Sequence, residues 1–401
     1  MEPPAPGHPT HPALRLLDGR FYAEDPHPHF AWMRRHAPVY WDPESRVWGV
    51  ARYADVVRVS RDPETFCSRH GSRPDSPPLA SMINRDDPAH LRRRSLVNRG
   101  FTPRRVAAHE PWLRALCGEL LDRALARDRF DFVREVAAPL PMRVIGELLG
   151  VAPEDHDRLL GWSDAMLEAT SASAPAEAAL AAARAFGEYA EYHRRVVADR
   201  RTRGAGEDLM SVLVRAEIDG ERLDDEALLQ ESLLILVGGD ETTRHVISGG
   251  MHQLLLHPEQ LHGLMADPAR IPRAVEEMLR WSTPIQNMAR TATRDVELGG
   301  QRIRPGDRLL LLYPSANRDE TIFERPFEFD VAREPNDHLA FGHGSHFCLG
   351  ASLARLELRV LFEELAARRP HLTLAAEAPL RWRASNFITG LESLPVEAGR
   401  S

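Results

Sequence analysis

The sequence around Cys348 would stabilise the ionised, thiolate form of its side chain. Cys348 lies in the glycine-rich stretch 341–350 (FGHGSHFCLG), after which leucine and valine recur at the spacing of an amphipathic helix from Ala351 to about Arg369. At a helix N-terminus, backbone N–H groups and the helix dipole stabilise a negative charge and lower the pKa of a thiol. The sequence therefore predicts a thiolate ligand at this position.

The glycines of the same stretch would let a large group approach the backbone. Gly342, Gly344 and Gly350 have no side chains, so the chain could lie against a flat ligand and direct its amides at the sulfur. For an arbitrary cysteine, an inert buried side chain beside a turn is the more common case. From the residues alone, that alternative stays open for Cys348.

A second group of reactive residues lies in the middle of the longest helical pattern, which runs from about Asp224 to Leu256. Gly238 and Gly239 interrupt its apolar run, although each glycine costs a helix about 1 kcal/mol relative to alanine. Two acids and two threonines follow at once in the stretch 240–243 (DETT). On their own, such threonines could be structural and bond back to carbonyl groups one turn earlier.

The composition excludes several other chemistries. The 401-residue chain contains no lysine, so all 51 basic residues are arginine. P-loop, pyridoxal and kinase sites each need a lysine amine that guanidinium cannot replace. The net charge of -8 argues against a nucleic-acid binder.

The sequence also indicates where the protein works. Cys67, Cys117 and Cys348 are too few and too scattered for a disulfide framework or a zinc site, which fits a reducing compartment. Residues 1–20 lack the apolar core of a signal peptide, and uncharged stretches elsewhere fall well short of the roughly 20 apolar residues of a membrane span. We therefore expect a cytoplasmic protein without a membrane anchor.

Helical patterns dominate the chain, and strands are few. Residues 39–50 hold aromatic and β-branched residues around a turn at 43–45 (PES), which predicts a short hairpin. The alanine-rich run 177–190 favours a helix, and a small β element returns at 296–312 between glycine and proline turns. We predict a mainly α fold with a small β-rich region.

The chain resembles the cytochrome P450 superfamily over nearly its whole length. The pattern Phe-x-x-Gly-x-x-x-Cys-x-Gly before an amphipathic helix matches the heme-binding signature of that family, and 277–280 (EMLR) matches its Glu-x-x-Arg helix. Two further segments, 238–243 (GGDETT) and 327–330 (FEFD) with Arg333, resemble family segments in the right order. The resemblance implies one P450 domain over 1–401, with a β-containing part over about 1–75 and a helical heme-binding body over about 76–401.

By this resemblance the chain binds heme b, and Cys348 is the ligand of the heme iron. Residues expected to lie against the heme are Phe341, Gly342, Gly350, Gly238 and Gly239. Residues expected to pair with the heme propionates, which need partners if they are buried, are His90, Arg94, Arg290 and His346, although any one of them could be a solvated side chain.

The resemblance assigns two more groups of residues. Glu277, Arg280 and Arg333 are expected to form a buried ion network behind the heme, whereas a Glu/Arg pair three residues apart is by itself usually a weak surface ion pair. Glu241 and Thr242 are expected to feed protons to dioxygen, because cleavage of the O–O bond needs protons at the distal oxygen.

The family also implies the partners of the reaction. Such an enzyme receives two electrons from NAD(P)H through a ferredoxin reductase and a ferredoxin, and it uses O2 to convert an apolar substrate into its alcohol and water. A basic patch could dock an acidic ferredoxin, or its members could be ordinary solvated side chains: Arg92, Arg93, Arg104 and Arg105. The family layout places the hydrophobic substrate at the region 166–186 and at Met82, Ile83, Ile235, Ile285, Met288, Phe387 and Ile388, any of which could also be ordinary core.

A closer resemblance narrows the substrate. The stretches 234–245 (LILVGGDETTRH), 82–84 (MIN) and 385–395 (SNFITGLESLP) resemble actinobacterial enzymes that hydroxylate the terminal methyl of the cholesterol or cholest-4-en-3-one side chain. His343 departs from that group, in which an apolar aromatic residue is more usual. Two alternatives stay open: a tailoring hydroxylase or epoxidase acting on a polyketide, peptide or terpene, and a heme-based binding or sensor protein without turnover.

Overall fold

The computed structural model describes residues 7–73, 75–76, 78–169, 174–203, 206, 208–218, 220–375 and 380–399. Helices make up most of the regular structure in these ranges, which confirms the predicted fold class. The helices are α1 Gly19–Ala23, α2 His27–His36, α3 Tyr53–Arg61, α4 Ala89–Asn98, α5 Pro103–Ala108, α6 Glu110–Leu125, α7 Pro139–Leu149, α8 His156–Glu168, α9 Ala178–Arg203, α10 Leu209–Arg215, α11 Asp225–Leu256, α12 Pro258–Ala266, α13 Ile271–Ser282, α14 Tyr313–Ala316 and α15 Ala351–Arg368. None of these helices combines the length and apolar content that a membrane crossing requires.

The strands are short and form small sheets. They are β1 Val39–Asp42, β2 Val47–Val50, β3 Phe66–Cys67, β4 Arg129–Asp131, β5 Glu217–Ile218, β6 Glu221–Arg222, β7 Asn287–Ala292, β8 Val296–Leu298, β9 Gln301–Ile303, β10 Arg308–Leu312, β11 His371–Leu374 and β12 Pro395–Gly399. The main sheet has the order β1-β2-β10-β7-β3, and a second sheet has the order β11-β12-β4. The predicted hairpin of residues 39–50 and the predicted β element of 296–312 are both confirmed.

The main sheet joins segments that are far apart in the chain. β2 pairs antiparallel with β1 and parallel with β10, where Trp48 lies opposite Leu309. The indole Nε1 of Trp48 also donates to Asp307 at 3.2 Å across 259 residues. β10 consists of leucines after Arg308, and its alternate residues enter two different apolar clusters, so both faces of the sheet are covered.

α11 is the long helix that the sequence predicts, and it carries the middle of the site. It begins where the Asp224 side chain accepts the N–H of Ala227 at 2.7 Å, and it ends before Pro258, which cannot continue it. The helix crosses α7 and α13 at close range. At Gly250 an added Cβ would lie 2.7 Å from the Met278 side chain, so glycine is needed for the α13 crossing.

α15 fixes the position of the cysteine loop. It runs from Ala351 to Arg368, as predicted, and ends where Arg369 takes a left-handed conformation before Pro370. The helix packs against α6 and α13, and its apolar side joins the largest hydrophobic cluster. The loop before α15 is therefore anchored to the centre of the helical body.

Candidate functional site

The cysteine stretch forms a tight loop that contains the 3₁₀ turn Gly344–His346 and leads into α15. The backbone N–H of Cys348 donates to the carbonyl oxygen of Phe341 at 2.9 Å, which closes the loop on itself. Gly344 has a φ of 76°, and a Cβ there would lie 2.2 Å from the carbonyl oxygen of Ser60 on α3. Gly344 is therefore needed for the close approach of the α3 backbone, whereas the sequence predicts that it makes room for a ligand. At Gly350 an added Cβ would meet nothing within 4 Å.

Arginines hold two other side chains of this loop. Arg61 on α3 donates from Nε to Nε2 of His343 at 2.8 Å, which gives a polar partner to the residue that departs from the resembling group. The guanidinium of Arg355 lies over the ring of Phe341 at 4.6 Å from its centroid. Gly342 keeps room around it, since the nearest atom to an added Cβ is 3.6 Å away.

The electrostatics at Cys348 differ from the prediction. Burial raises the pKa of the Cys348 thiol, while the backbone N–H groups of Gly350 and Ala351 and the charges of Arg94 and Arg355 act in the opposite direction. The predicted net lowering of the pKa was therefore wrong, because burial outweighs the donors in the protein alone. The donors still lie where they would stabilise a thiolate beside a metal cation.

Four basic side chains converge next to the cysteine loop. The rings of His90 on α4 and His346 stack with their centroids 4.0 Å apart. Arg94 on α4 donates to two carbonyl oxygens of the loop, and the buried Arg290 on β7 donates to a neighbouring carbonyl oxygen at 2.8 Å. The structure thus brings together all four residues that the sequence predicts for the propionates.

Within the described residues, the two arginines of this basic cluster have no carboxylate partner in an ion pair. Burial, together with the charges of Arg290, His90 and Arg94, lowers the pKa of His346 to about 2. Asp87 bonds to His90 at 3.0 Å, but neither Arg94 nor Arg290 forms an ion pair within the ranges that the structure describes. Such a cluster fits a ligand that carries carboxylates, as heme does.

Glu277 is the centre of a buried ion network. Arg280 donates from Nε and Nη2 to the two carboxylate oxygens, each at 2.7 Å, and Arg333 donates from Nε at 3.1 Å. Glu277 and Arg280 are fully buried, unlike an ordinary surface pair. The two guanidinium groups also donate to backbone carbonyls between residues 317 and 328. The network therefore ties α13 to the segment that leads to the cysteine loop.

The two central glycines of α11 face different surroundings. Thr242 is partly exposed and donates from Oγ1 to the carbonyl oxygen of Gly238 at 2.7 Å, and an added Cβ at Gly238 would meet nothing within 4 Å. At Gly239 an added Cβ would lie 2.3 Å from Cδ1 of Ile145. Gly239 is therefore needed for the contact with α7, whereas the sequence predicts that it lies against the heme.

Glu241 is buried among cations. Its Oε1 accepts from Arg244 at 3.0 Å, and its Oε2 accepts from Arg383 at 2.6 Å and lies 3.0 Å from Nε2 of His245. Burial alone would raise the pKa of Glu241, but His245 and the two arginines lower it. Glu241 is therefore ionised. Arg244 also bonds to Asp164 at 3.1 Å, and 45% of the Asp164 side chain is exposed, so the network reaches the surface.

Two more carboxyl groups near α11 were not predicted from the sequence. Ser163 donates to Oδ2 of the buried Asp240 at 3.1 Å, and Glu357 is buried on α15. Burial and neighbouring acids, including Asp240 for Glu357, raise the pKa of both groups well above the usual range. Glu357 follows the buried Leu356 and lies on the apolar side of α15. An acid on the apolar side of a helical pattern is a signal in the sequence that this acid is buried.

The predicted pocket residues fall into two groups. Met82 and Ile83 belong to a 3₁₀ turn, Met82–Asn84. The second group lies on segments 284–289 and 385–389, which pair with each other. Ile285 and Ile388 form a β-bridge, and the N–H of Gln286 donates to the carbonyl oxygen of Phe387 at 2.8 Å. Met288 lies in segment 284–289. Ser72 connects the groups, because its N–H donates to Asn84 at 2.7 Å and its carbonyl oxygen accepts from Ala289 at 2.7 Å.

At α11, Ile235 is buried in the main apolar cluster, as Met82 is, and its place in the pocket stays a prediction. Leu234, Val237 and Thr242 are partly exposed on this helix, and Gly238 is exposed. Part of the predicted region 166–186, residues 170–173, lies outside the described residues.

Arg93, one of the four arginines predicted to form a basic patch, is mostly buried. Arg92 and Arg104 are exposed, and Arg105 is partly exposed. Only 17% of the Arg93 side chain is exposed, and its Nη1 lies 3.6 Å from Oε1 of the buried Glu231. Arg93 therefore belongs to an internal ion pair.

The site as a whole fits a heme-thiolate protein, because the basic cluster and the open glycines suit a flat cofactor with two carboxylates and the sulfur of Cys348 would bind its iron. Comparison with known proteins gives the same class. A family model described as cytochrome P450 matches residues 271–367. The chain is 48% identical over 387 residues to the Steroid C26-monooxygenase of Mycobacterium tuberculosis, covering 96% of this chain and 97% of that protein. It is 45% identical to the Steroid C26-monooxygenase of Mycolicibacterium smegmatis over 96% of both chains.

A solved structure agrees with these matches. The crystal structure of CYP109E1 from Bacillus megaterium in complex with testosterone is 35% identical, with a TM-score of 0.85 over 94% of this chain and 100% of that one. This chain belongs to the cytochrome P450 family. It is a monooxygenase whose cofactor is heme b.

Proposed function

We propose that this enzyme hydroxylates the terminal carbon of a steroid side chain, with cholesterol or cholest-4-en-3-one as its substrate. The observation that carries the proposal is the 48% identity, over nearly the whole chain, to a Steroid C26-monooxygenase. The apolar side chains of the Met82–Asn84 turn and of the paired segments 284–289 and 385–389 support a hydrophobic ligand.

In this proposal the basic cluster and the cysteine loop hold the cofactor. Cys348 binds the iron through its sulfur, and His90, Arg94, Arg290 and His346 pair with the propionates. Heme bound by a thiolate supplies the redox chemistry that divides dioxygen between the substrate and water. The balance is RH + O2 + 2 e⁻ + 2 H⁺ giving ROH + H2O. Glu277, Arg280 and Arg333 keep the loop in place for this chemistry.

The two protons pass through groups on α11. Thr242 gives one hydrogen bond to Gly238, so the lone pairs of Oγ1 can accept from water on the open face. Arg244 and Arg383 pair with Glu241 and favour its ionised form, so Glu241 would hold a proton only briefly before passing it on. It takes up a proton at a carboxylate oxygen when a cation partner moves away, and Arg244 and Asp164 connect it to solvent.

The electrons come from a small acidic carrier. We propose a ferredoxin, reduced by a ferredoxin reductase with NAD(P)H, which docks on the exposed Arg92 and Arg104 and the partly exposed Arg105. These positive charges lie on α4 and α5, and α4 also carries His90 and Arg94 of the basic cluster.

A Thr242→Ala variant tests the proton route. It is expected to bind heme as the parent protein does, but to form about tenfold less product per NAD(P)H consumed and to release the difference as hydrogen peroxide. Product and peroxide are measured together under steady NAD(P)H consumption. Thr242→Ser, which keeps the hydroxyl group, is the matched control and is expected to stay coupled. Unchanged coupling in the alanine variant would count against the proposed role.

The substrate class is tested by a binding screen at the Soret band. Cholest-4-en-3-one and cholesterol are expected to displace water from the heme and to give a blue shift at micromolar concentration, followed by a product hydroxylated at the terminal carbon. Macrolides, peptides and terpenes serve as comparison ligands. A shift with one of these classes and none with any sterol would replace the steroid proposal by a tailoring oxidase. Binding without NAD(P)H-supported turnover of any ligand would support the sensor alternative.

A further inference from the structure

Glu231 on α11 is a buried acid that has no role in the proposed reaction. It is fully buried, its Oε1 accepts the backbone N–H of Met82 at 2.8 Å, and its Oε2 has no hydrogen-bond partner among the described residues. Burial of a carboxyl group is unfavourable unless partners compensate it. Met82 begins the turn Met82–Asn84, named here the pocket turn. The bond from Glu231 therefore ties a proposed wall of the substrate pocket to α11.

Glu231 lies on the side of α11 that faces the proposed chemistry. Positions 231, 235, 238 and 242 follow one another at intervals of three or four residues and so form one stripe along the helix. At 1.5 Å per residue, Glu231 is about 16 Å from Thr242 along the axis. A turn attached to Glu231 is thus held at a set distance from the segment that handles dioxygen.

The two ends of the pocket turn have separate anchors. Asn84 at its end accepts the N–H of Ser72 at 2.7 Å and donates to the carbonyl oxygen of Leu79 at 3.0 Å. At its beginning, the Met82 N–H reaches Glu231, while Oγ of the neighbouring Ser81 has no partner in the described part of the chain. The beginning of the turn therefore depends on Glu231.

The strength of this anchor varies with pH. Burial raises the pKa of Glu231 to about 7, and the charge of Arg93, the N–H of Met82 and the charge of Arg85 act in the opposite direction. Arg93 reaches the carboxylate from α4, and Arg85 lies just after the pocket turn. Because the pKa is raised, the carboxyl group loses its proton only as the pH rises through about 7. The ionised form accepts an N–H bond more strongly than the neutral form does.

We propose that Glu231 is a positioning residue for the substrate, whose carboxylate holds the pocket turn against α11 and so fixes one wall of the substrate pocket. This inference rests on the proposed function in one respect, the assignment of Met82 and Ile83 to the pocket. Substrate affinity then follows the ionisation of Glu231, and it is higher above neutral pH than below.

Substrate titrations at pH 6 and pH 8 test the proposal on heme-loaded protein. For the parent enzyme, the Kd of cholest-4-en-3-one is expected to be about fivefold lower at pH 8, the difference between a charge-assisted and a neutral hydrogen bond. Glu231→Gln keeps an acceptor without charge and is expected to show the weaker affinity at both pH values. Arg93→Gln is expected to move the midpoint to higher pH. Glu226→Gln, exposed on the same helix, is the control and should behave as the parent protein.

Hydrogen exchange at the Met82 amide tests the anchor without a substrate. In Glu231→Leu this amide is expected to exchange about tenfold faster than in the parent protein and in the Glu226→Gln control. If Glu231→Leu fails to bind heme, the comparison of Glu231→Gln at the two pH values decides the question. If no sterol binds to the parent enzyme, the steroid proposal fails, while amide exchange at pH 6 and pH 8 still reports on the anchor. Parent-like affinity and pH dependence in Glu231→Gln, or unchanged exchange in Glu231→Leu, would overturn the proposal.

Discussion

A Cys348→Ser variant is expected to lose both the red-shifted absorbance of the reduced, carbon-monoxide-treated protein and all hydroxylation. A serine hydroxyl keeps its proton at neutral pH and cannot replace the thiolate, whose electron donation favours cleavage of dioxygen. The donors around the sulfur, the N–H groups of Gly350 and Ala351 and the charge of Arg94, act on an anion and gain nothing from a neutral hydroxyl group.

The variant is measured by the carbon-monoxide difference spectrum and by turnover of the same substrate. Cys117→Ala is the matched control, because Cys117 is buried on α6 in the apolar core, and this variant should keep both signals. A red-shifted band that persists in Cys348→Ser would assign the iron to another ligand and reject the site described above.

A Glu277→Gln variant is expected to lower the free energy of unfolding by about 3–5 kcal/mol, since removal of one member of a buried ion pair leaves uncompensated charge. Here two guanidinium groups, those of Arg280 and Arg333, would lose the carboxylate between them. The loop that carries Cys348 follows the segment held by this network, so heme is also expected to be lost more readily.

Urea unfolding followed by circular dichroism gives the change in stability, and the heme-to-protein absorbance ratio gives cofactor retention. Asp295→Asn is the control, because Asp295 pairs with Arg302 on the surface, with 54% and 71% of the two side chains exposed. Such a pair contributes about 0.2–1 kcal/mol. If Glu277→Gln were no more destabilising than this control, the network would not hold the site together.

The sequence predicts those parts of the site that depend on neighbouring residues in the chain. The cysteine loop before α15, the pair of Gly238 and Thr242 on α11 and the close pair of Glu277 and Arg280 are all local patterns of residue type and spacing. The hairpin of β1 and β2 is predicted for the same reason, since aromatic and β-branched residues around a turn are a local signal.

Other parts of the site depend on contacts between remote segments, and these were not predicted. Arg383 reaches Glu241 across 142 residues, and Arg93 reaches Glu231 from another helix, so neither partner is visible in local spacing. Gly239 was assigned to the cofactor because the pattern cannot show which side of α11 packs on α7. β7 was missed because its residues, NMARTA, have little strand propensity, and its place between β10 and β3 determines its conformation.

The parallel pairing of β2 with β10 has a consequence for folding during synthesis on the ribosome. An isolated two-stranded hairpin is at best marginally stable in water, and its open edge can pair with other chains. The hairpin must therefore wait, with aromatic residues such as Trp48 accessible, until most of the polypeptide has been synthesised and β10 has emerged. Such transiently exposed apolar surface favours aggregation, so added chaperones are expected to raise the yield of the enzyme in a foreign host.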